Sequence, residues 1–140
     1  MLEITRGFKM NEILILKEQL NNIRDGKDIF NKIKKIKIDY EKENVIIFYL
    51  NTSNQVIKTE ILFMGGIDSC ILCPNTIFRQ ALKHNAPKII IAHNHPSGNL
   101  KPSYEDIEVF DKLKSAGDII NIKVLDSIIF NKKEFYTLIK

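Results

Sequence analysis

The densest chemistry in this chain lies in the run His93-Asn94-His95-Pro96-Ser97-Gly98-Asn99-Leu100-Lys101-Pro102-Ser103-Tyr104-Glu105-Asp106. Histidines at i and i+2 on a strand end point to the same face, where one metal ion can bind both imidazoles. Asp106 falls in the first turn of the following helix, and the intervening loop can fold that turn back over the strand end. Two nitrogens and a carboxylate oxygen suit zinc, and three protein ligands leave a fourth position for water, as a catalytic site requires. Each residue also has a plainer use. A histidine near a strand end is more often a hydrogen-bonded surface residue, Pro96 and Gly98 make turns, and Ser103 with Asp106 fits a capping box that alone would explain both. The joint spacing favours the metal.

The elements that must position these residues are readable around them. Met10 to Arg24 carries Ile13, Leu16, Leu20 and Ile23 at roughly helical spacing, and Asp25-Gly26 breaks it. Asp28 is the expected N-cap of a second helix with Ile29, Phe30, Ile33 and Ile36 on its apolar side. Asn44 to Leu50 (NVIIFYL) reads as a buried strand, and the turn residues 51–54 lead into a hairpin partner from Gln55 to Met64, ended by Gly65-Gly66. Pro74 suits a helix first turn, with Ile77, Phe78, Ala81 and Leu82 as its apolar face and Pro87 beyond its end. Lys88 to His93 (KIIIAH) is a short strand, and Pro96 to Pro102 is a loop. Ser103 opens a helix to about Ala116, stopped by Gly117; Ile122 to Phe130 is a last strand, and Lys132 onward a short helix. Strand–helix–strand units favour parallel pairing and the hairpin adds an antiparallel pair, so a mixed sheet covered by helices follows.

A chain of 140 residues, 44% hydrophobic and 27% charged, is the size of one domain with one core. No apolar run approaches the ~20 residues that span a bilayer, and the first residues lack the apolar stretch of a signal peptide. A cytoplasmic protein without membrane attachment is expected, its oligomeric state open. The net charge of +4 includes Lys32, Lys34, Lys35 and Lys37, which read as a solvated face; weak, nonspecific nucleic-acid binding is the most they suggest. Cys70 and Cys73 are spaced C-x-x-C. A four-cysteine zinc site would need a second pair, and thioredoxin-like chemistry would need the pair to open a helix after a buried strand. A disulfide framework would need more cysteines and a secretory context, so both are expected to be small buried hydrophobes.

The spacing H-x-H, seven residues, Ser, two residues, Asp resembles the signature of the JAMM (Jab/MPN+) metalloproteases. The wider run is similar to the bacterial RadC family in particular: HNHPSG, Pro102-Ser103, Glu105-Asp106, KVLD at Lys123 to Asp126, Asn85-Ala86, the hairpin from Tyr49-Leu50-Asn51 to Gly65, and the Pro74 helix start. The resemblance covers roughly residues 40–130. It implies a mixed-sheet α/β/α sandwich like that of cytidine deaminases, with residues 1–40 as a helical extension packed on a JAB/MPN domain at 41–140, one domain overall. It implies zinc held by His93, His95 and Asp106, an oxyanion-stabilising Ser103, and a glutamate for the attacking water, for which Glu43 stands in the family's position before the first core strand. On its own Glu43 would read as a surface residue; Glu41 and Glu60 are its nearest competitors. A zinc metallopeptidase acting on an amide, peptide or isopeptide bond of an unidentified peptide or protein follows.

The chain also departs from that family. RadC proteins usually carry a helix-hairpin-helix module, for which this chain is too short. Ser127 stands where histidine usually follows Asp126, and Asn75-Thr76 replaces Arg-Glu after Pro74. Two enzyme rivals fail on residues. HNH nucleases spread their histidines and asparagine over a ββα unit, whereas these are consecutive. A base deaminase needs H-x-E and P-C-x-x-C, but His95 holds the third position and Pro74 follows the cysteines. A zinc-containing, DNA-associated binding module with little or no peptidase activity is the alternative; an available Ser103 and Glu43 weigh against it, because purely structural zinc sites are usually closed by four protein ligands.

Overall fold

The computed structural model describes residues 22–63 and 72–139. The expected helix at Met10 to Arg24 falls almost wholly outside them, as do Met64, Gly65-Gly66 and Cys70. The described elements run α1 (Gly26–Ile33), β1 (Asn44–Leu50), β2 (Val56–Phe63), α2 (Pro74–Lys83), β3 (Lys88–His93), α3 (Tyr104–Ile120), β4 (Lys123–Phe130) and β5 (Phe135–Thr137). The five strands form one sheet in the order β2-β1-β3-β4-β5. Only β3 and β4, joined by the α3 crossover, pair in parallel; the other pairs are antiparallel. This is the expected mixed α/β sheet.

Strand alternation divides the core into two layers. Val45, Ile47, Tyr49, Ile89 and Ile91 pack beneath α2 and α3 with Ile77, Phe78, Phe110 and Leu113. Ile46, Phe48, Leu50, Ile90, Ala92 and Ile128 face α1 through Ile29, Phe30 and Ile33. β1 is therefore buried along its whole length, which is why NVIIFYL is apolar at nearly every position instead of alternating.

The structure corrects several local expectations. Asp25, not Asp28, caps α1: its side chain accepts the Asp28 N–H at 3.1 Å, while Asp28 turns back to accept from Arg24. Ile36 lies past the helix end yet still packs on the α1 layer. Leu82 is 64% exposed and leaves the α2 apolar face. Gly117 does not stop α3. The helix continues to Ile120 and ends at Asn121 in the left-handed region (φ 60°). Gly117 serves close packing, since a Cβ there would overlap the Ile122 carbonyl oxygen and press on Phe78 and Val124. The chain after Lys132 is a strand, not a helix. Asn131 Oδ1 accepts the N–H groups of Lys133 and Glu134, which turns the chain back, and Phe135 reaches the Phe30 ring at 5.0 Å.

Candidate metal centre

β3 ends at His93, so His95 lies two residues past the strand on the same side. A tight turn follows: Gly98 N–H donates to His95 O at 2.8 Å, with Gly98 at φ +79°, a conformation favouring glycine. The loop is held by its own polar groups and by Asn131, whose Nδ2 donates to Gly98 O at 3.0 Å. It delivers the chain to the N-terminus of α3, where Ser103 and Asp106 form a reciprocal capping box: Asp106 N–H donates to Ser103 Oγ at 3.0 Å and Ser103 N–H to Asp106 Oδ2 at 2.8 Å. The capping reading and the site reading of these two residues are thus compatible.

The three side chains converge. His93 Nε2 and His95 Nε2 are 3.3 Å apart, and each lies 3.1 Å from an oxygen of Asp106. They form a group able to hold a metal ion. Two features fit an ion. His95 Nδ1 is 2.7 Å from the Asn99 carbonyl, which can only accept, so this nitrogen carries a proton and Nε2 is the ring atom that faces Asp106. An imidazole nitrogen and a carboxylate oxygen 3.1 Å apart need a cation between them, a proton or a metal ion. Ligands about 2.0–2.1 Å from a tetrahedral zinc are separated by about 3.3 Å, close to the spacing found. Asp106 is suited to remain charged: burial pushes its carboxyl up, but hydrogen bonds from His93 and the Ser103 N–H, with the nearby His93 charge, hold it well below the usual carboxylate range.

These groups open into a cleft of about 460 Å³ whose walls include Glu43, Ser103, Glu105, Lys112 and Ser127, with Leu72, Pro74, Val109 and Phe110 supplying apolar surface. Of the three glutamates weighed in the sequence, Glu43 lines this cleft. Glu60 is engaged elsewhere, accepting the Tyr49 hydroxyl at 2.8 Å. Glu41 sits in an exposed turn against a different hollow, with Lys37 and Lys132. The half-buried Cys73 also lines the cleft, and it is disulfide-bonded, which corrects its reading as a small buried hydrophobe. Sequence reasoning missed Glu105, Lys112 and the apolar wall. Glu105 stands beside Asp106 in the motif, while Val109 and Lys112 follow at helical spacing and would have been found by tracing α3 along the Asp106 face.

A mixed sheet sandwiched by helices, with two histidines at a strand end and an aspartate from the next helix, defines a JAB-type domain. Residues 23–140 match the family described as RadC-like JAB domain, and the chain belongs to that family. Similar proteins include the "UPF0758 protein" of Chlorobium chlorochromatii, 36% identical over 97% of this chain and 62% of that protein. Another is the "UPF0758 protein" of Carboxydothermus hydrogenoformans, 40% identical over 84% of this chain and 52% of that protein. The chain thus spans less than two thirds of the length of these relatives. Among the described residues no helix is long and apolar enough to cross a membrane.

Proposed function

We propose that this chain is a zinc-dependent hydrolase of amide bonds, peptide or isopeptide, acting on a peptide or protein. The observation that carries this reading is the convergence of His93 Nε2, His95 Nε2 and the Asp106 carboxylate at 3.1–3.3 Å in a cleft that also holds Glu43. The three would hold zinc, which supplies Lewis acidity and lowers the pKa of a water molecule toward neutrality.

The remaining work falls to the chain. The Glu43 carboxylate takes a proton from the attacking water and returns it to the leaving amine, as a carboxylate at the edge of a cleft can. The Ser103 Oγ accepts the Asp106 N–H, which leaves its own O–H free to donate to the substrate oxygen as charge develops there. The Asn99 carbonyl fixes the His95 tautomer and so keeps its Nε2 available. The apolar wall formed by Leu72, Val109 and Phe110 offers room for a side chain or peptide stem and limits water.

The test is a screen of peptide and isopeptide substrates with zinc-loaded protein, run beside Glu43→Gln. Hydrolysis by the parent and its loss in the variant supports the proposal. Stoichiometric zinc with no hydrolysis of any substrate favours the rival reading of a zinc-containing binding module.

A further inference from the structure

Between the two histidines stands Asn94, which is 1% exposed and points away from the metal ligands into the protein. Among the described residues its side chain hydrogen-bonds to the segment that carries Glu43. Asn94 Oδ1 accepts the Asn44 N–H at 2.8 Å, and its Nδ2 donates to the Lys42 carbonyl at 2.8 Å. The Asn94 N–H donates to Asn44 O at 3.3 Å, continuing the β1–β3 ladder one step past the Val45–His93 pair. Both peptide groups flanking Glu43 are therefore gripped by one side chain from the histidine strand.

The grip is reinforced from the other side. Asn44 is fully buried, and its Nδ2 donates to Asp39 O at 2.8 Å and Lys42 O at 3.0 Å, with a longer 3.2 Å contact to Asn94 Oδ1. This folds residues 39–42 into a turn against the start of β1. Without it Glu43 would stand on an exposed connection between α1 and the sheet, where side-chain direction is weakly fixed.

We infer that Asn94 is a positioning residue for Glu43, locking the glutamate's backbone to the strand that carries His93 so that carboxylate and metal ligands move as one body. This rests on the proposed role of Glu43. The geometry gives the residue between the two histidines a task of its own. It must be short, buried, and both donor and acceptor, because it bonds an N–H and a carbonyl of the same strand end. An asparagine side chain meets all four demands at once. A catalytic carboxylate displaced by about 1 Å can lose on the order of 10²-fold in rate, so the effect of losing the grip is large although Asn94 touches no substrate.

The experiment compares zinc-loaded Asn94→Ala with the parent chain. Zinc content should stay at that of the parent. Exchange of the Asn44 amide, read by NMR or mass spectrometry, should quicken by roughly tenfold or more. In the crystal structure of the variant the Glu43 carboxylate should leave its place in the cleft. Hydrolysis should fall toward the level of Glu43→Gln, and the double variant should be no slower than Glu43→Gln alone, because Asn94 acts through that residue. A merely structural asparagine would lower Tm yet leave Glu43 in place, and that result overturns the inference. Should Asn94→Ala fail to fold, Asn94→Asp keeps the acceptor for Asn44 but sets an oxygen against the Lys42 carbonyl, and the same displacement of Glu43 is expected. If the parent hydrolyses nothing, the proposed function fails, while amide exchange and the Glu43 position still decide the role of Asn94.

Discussion

The same face of the sheet carries two histidine–carboxylate clusters, one toward each end of β1. At one end stand His93, His95 and Asp106. At the other, four residues or about 13 Å along the strand, Tyr49 packs its ring 4.7 Å from that of His84 and donates its hydroxyl to Glu60. The His84 Nε2 lies 3.9 Å from Glu60, beyond hydrogen-bond range, and has no hydrogen-bond partner among the described residues. Residue types are alike, but the outcomes differ. In the first cluster the His93 and His95 Nε2 atoms and the Asp106 oxygens converge at 3.1–3.3 Å. In the second, a tyrosine hydroxyl occupies the carboxylate, and Glu60 in turn holds the Tyr49 hydroxyl well above its ordinary pKa, after burial as the main cause. What marks a candidate metal site is the convergence of ligand atoms on one point, not the presence of histidine and carboxylate.

The largest effect should come from breaking the first cluster. His95→Ala removes one of the three proposed ligands and is expected to cut zinc from about one ion per chain to a small fraction, measured by elemental analysis of protein purified without chelator. His84→Ala at the other end should leave zinc content unchanged. Equal zinc in parent and His95→Ala removes the ligand assignment.

Next in size is the carboxylate exchange. Glu43→Gln keeps shape but cannot take a proton, so hydrolysis should drop about 10²–10⁴-fold while zinc and fold are retained. Glu60→Gln keeps an amide oxygen to accept the Tyr49 hydroxyl and, lying outside the cleft, should keep most of the activity. A Glu43→Gln protein as active as the parent would move the general base elsewhere, with Glu105, on the same cleft wall, the first to examine.

A third effect concerns the scaffold shared by both clusters. Gly117→Ala gains helix propensity but drives a methyl into the Ile122 carbonyl and the Phe78 and Val124 side chains. Overpacking of this kind costs roughly 1–3 kcal/mol and outweighs a propensity gain of about 1 kcal/mol. Thermal unfolding should show a lower Tm, and an unchanged or raised Tm would mean that α3 shifts freely off β4.

Much of this arrangement was legible before the structure. β1 and β3 were bounded correctly because their residues are almost uniformly apolar and β-branched, and α2 because Pro74 marks its start. The convergence of His93, His95 and Asp106 was legible because strand alternation and the first turn of a helix fix side-chain direction locally. What failed was tertiary in origin. Gly117 looks like a helix stop until the Ile122 carbonyl is seen against it, and residues 135–137 become a strand only because β4 offers an open edge. Glu43 could not be separated from Glu41 by pleat. The separation comes from Asn94 and Asn44, whose contact spans fifty positions of sequence and leaves no local pattern.

The smallest effect tests the contrast between two buried aspartates. Asp106 is held low by its partners, whereas burial raises the carboxyl of Asp126, against which the N–H groups of Ile139 and Ser127 work only in part. Asp126 is 7% exposed, and its Oδ1 accepts from Ser127 at 2.7 Å and Ile139 at 3.2 Å, tying the C-terminal segment to β4. For an acid whose folded pKa lies above its unfolded value, the native state takes up the proton first as pH falls. Its contribution to stability is therefore least favourable above the folded pKa and improves as pH drops through it toward the unfolded value. Asp126→Asn keeps an acceptor for both N–H groups and carries no charge at any pH. It should stabilise the protein at neutral pH by under about 1 kcal/mol, the scale of mild substitutions, with the gain over the parent shrinking as the solution is acidified through the carboxylate range. Denaturant titrations of both proteins at several pH values measure this directly. A gain that grows on acidification would mean that the Lys114 charge and the N–H groups together outweigh burial and favour the charged form of Asp126.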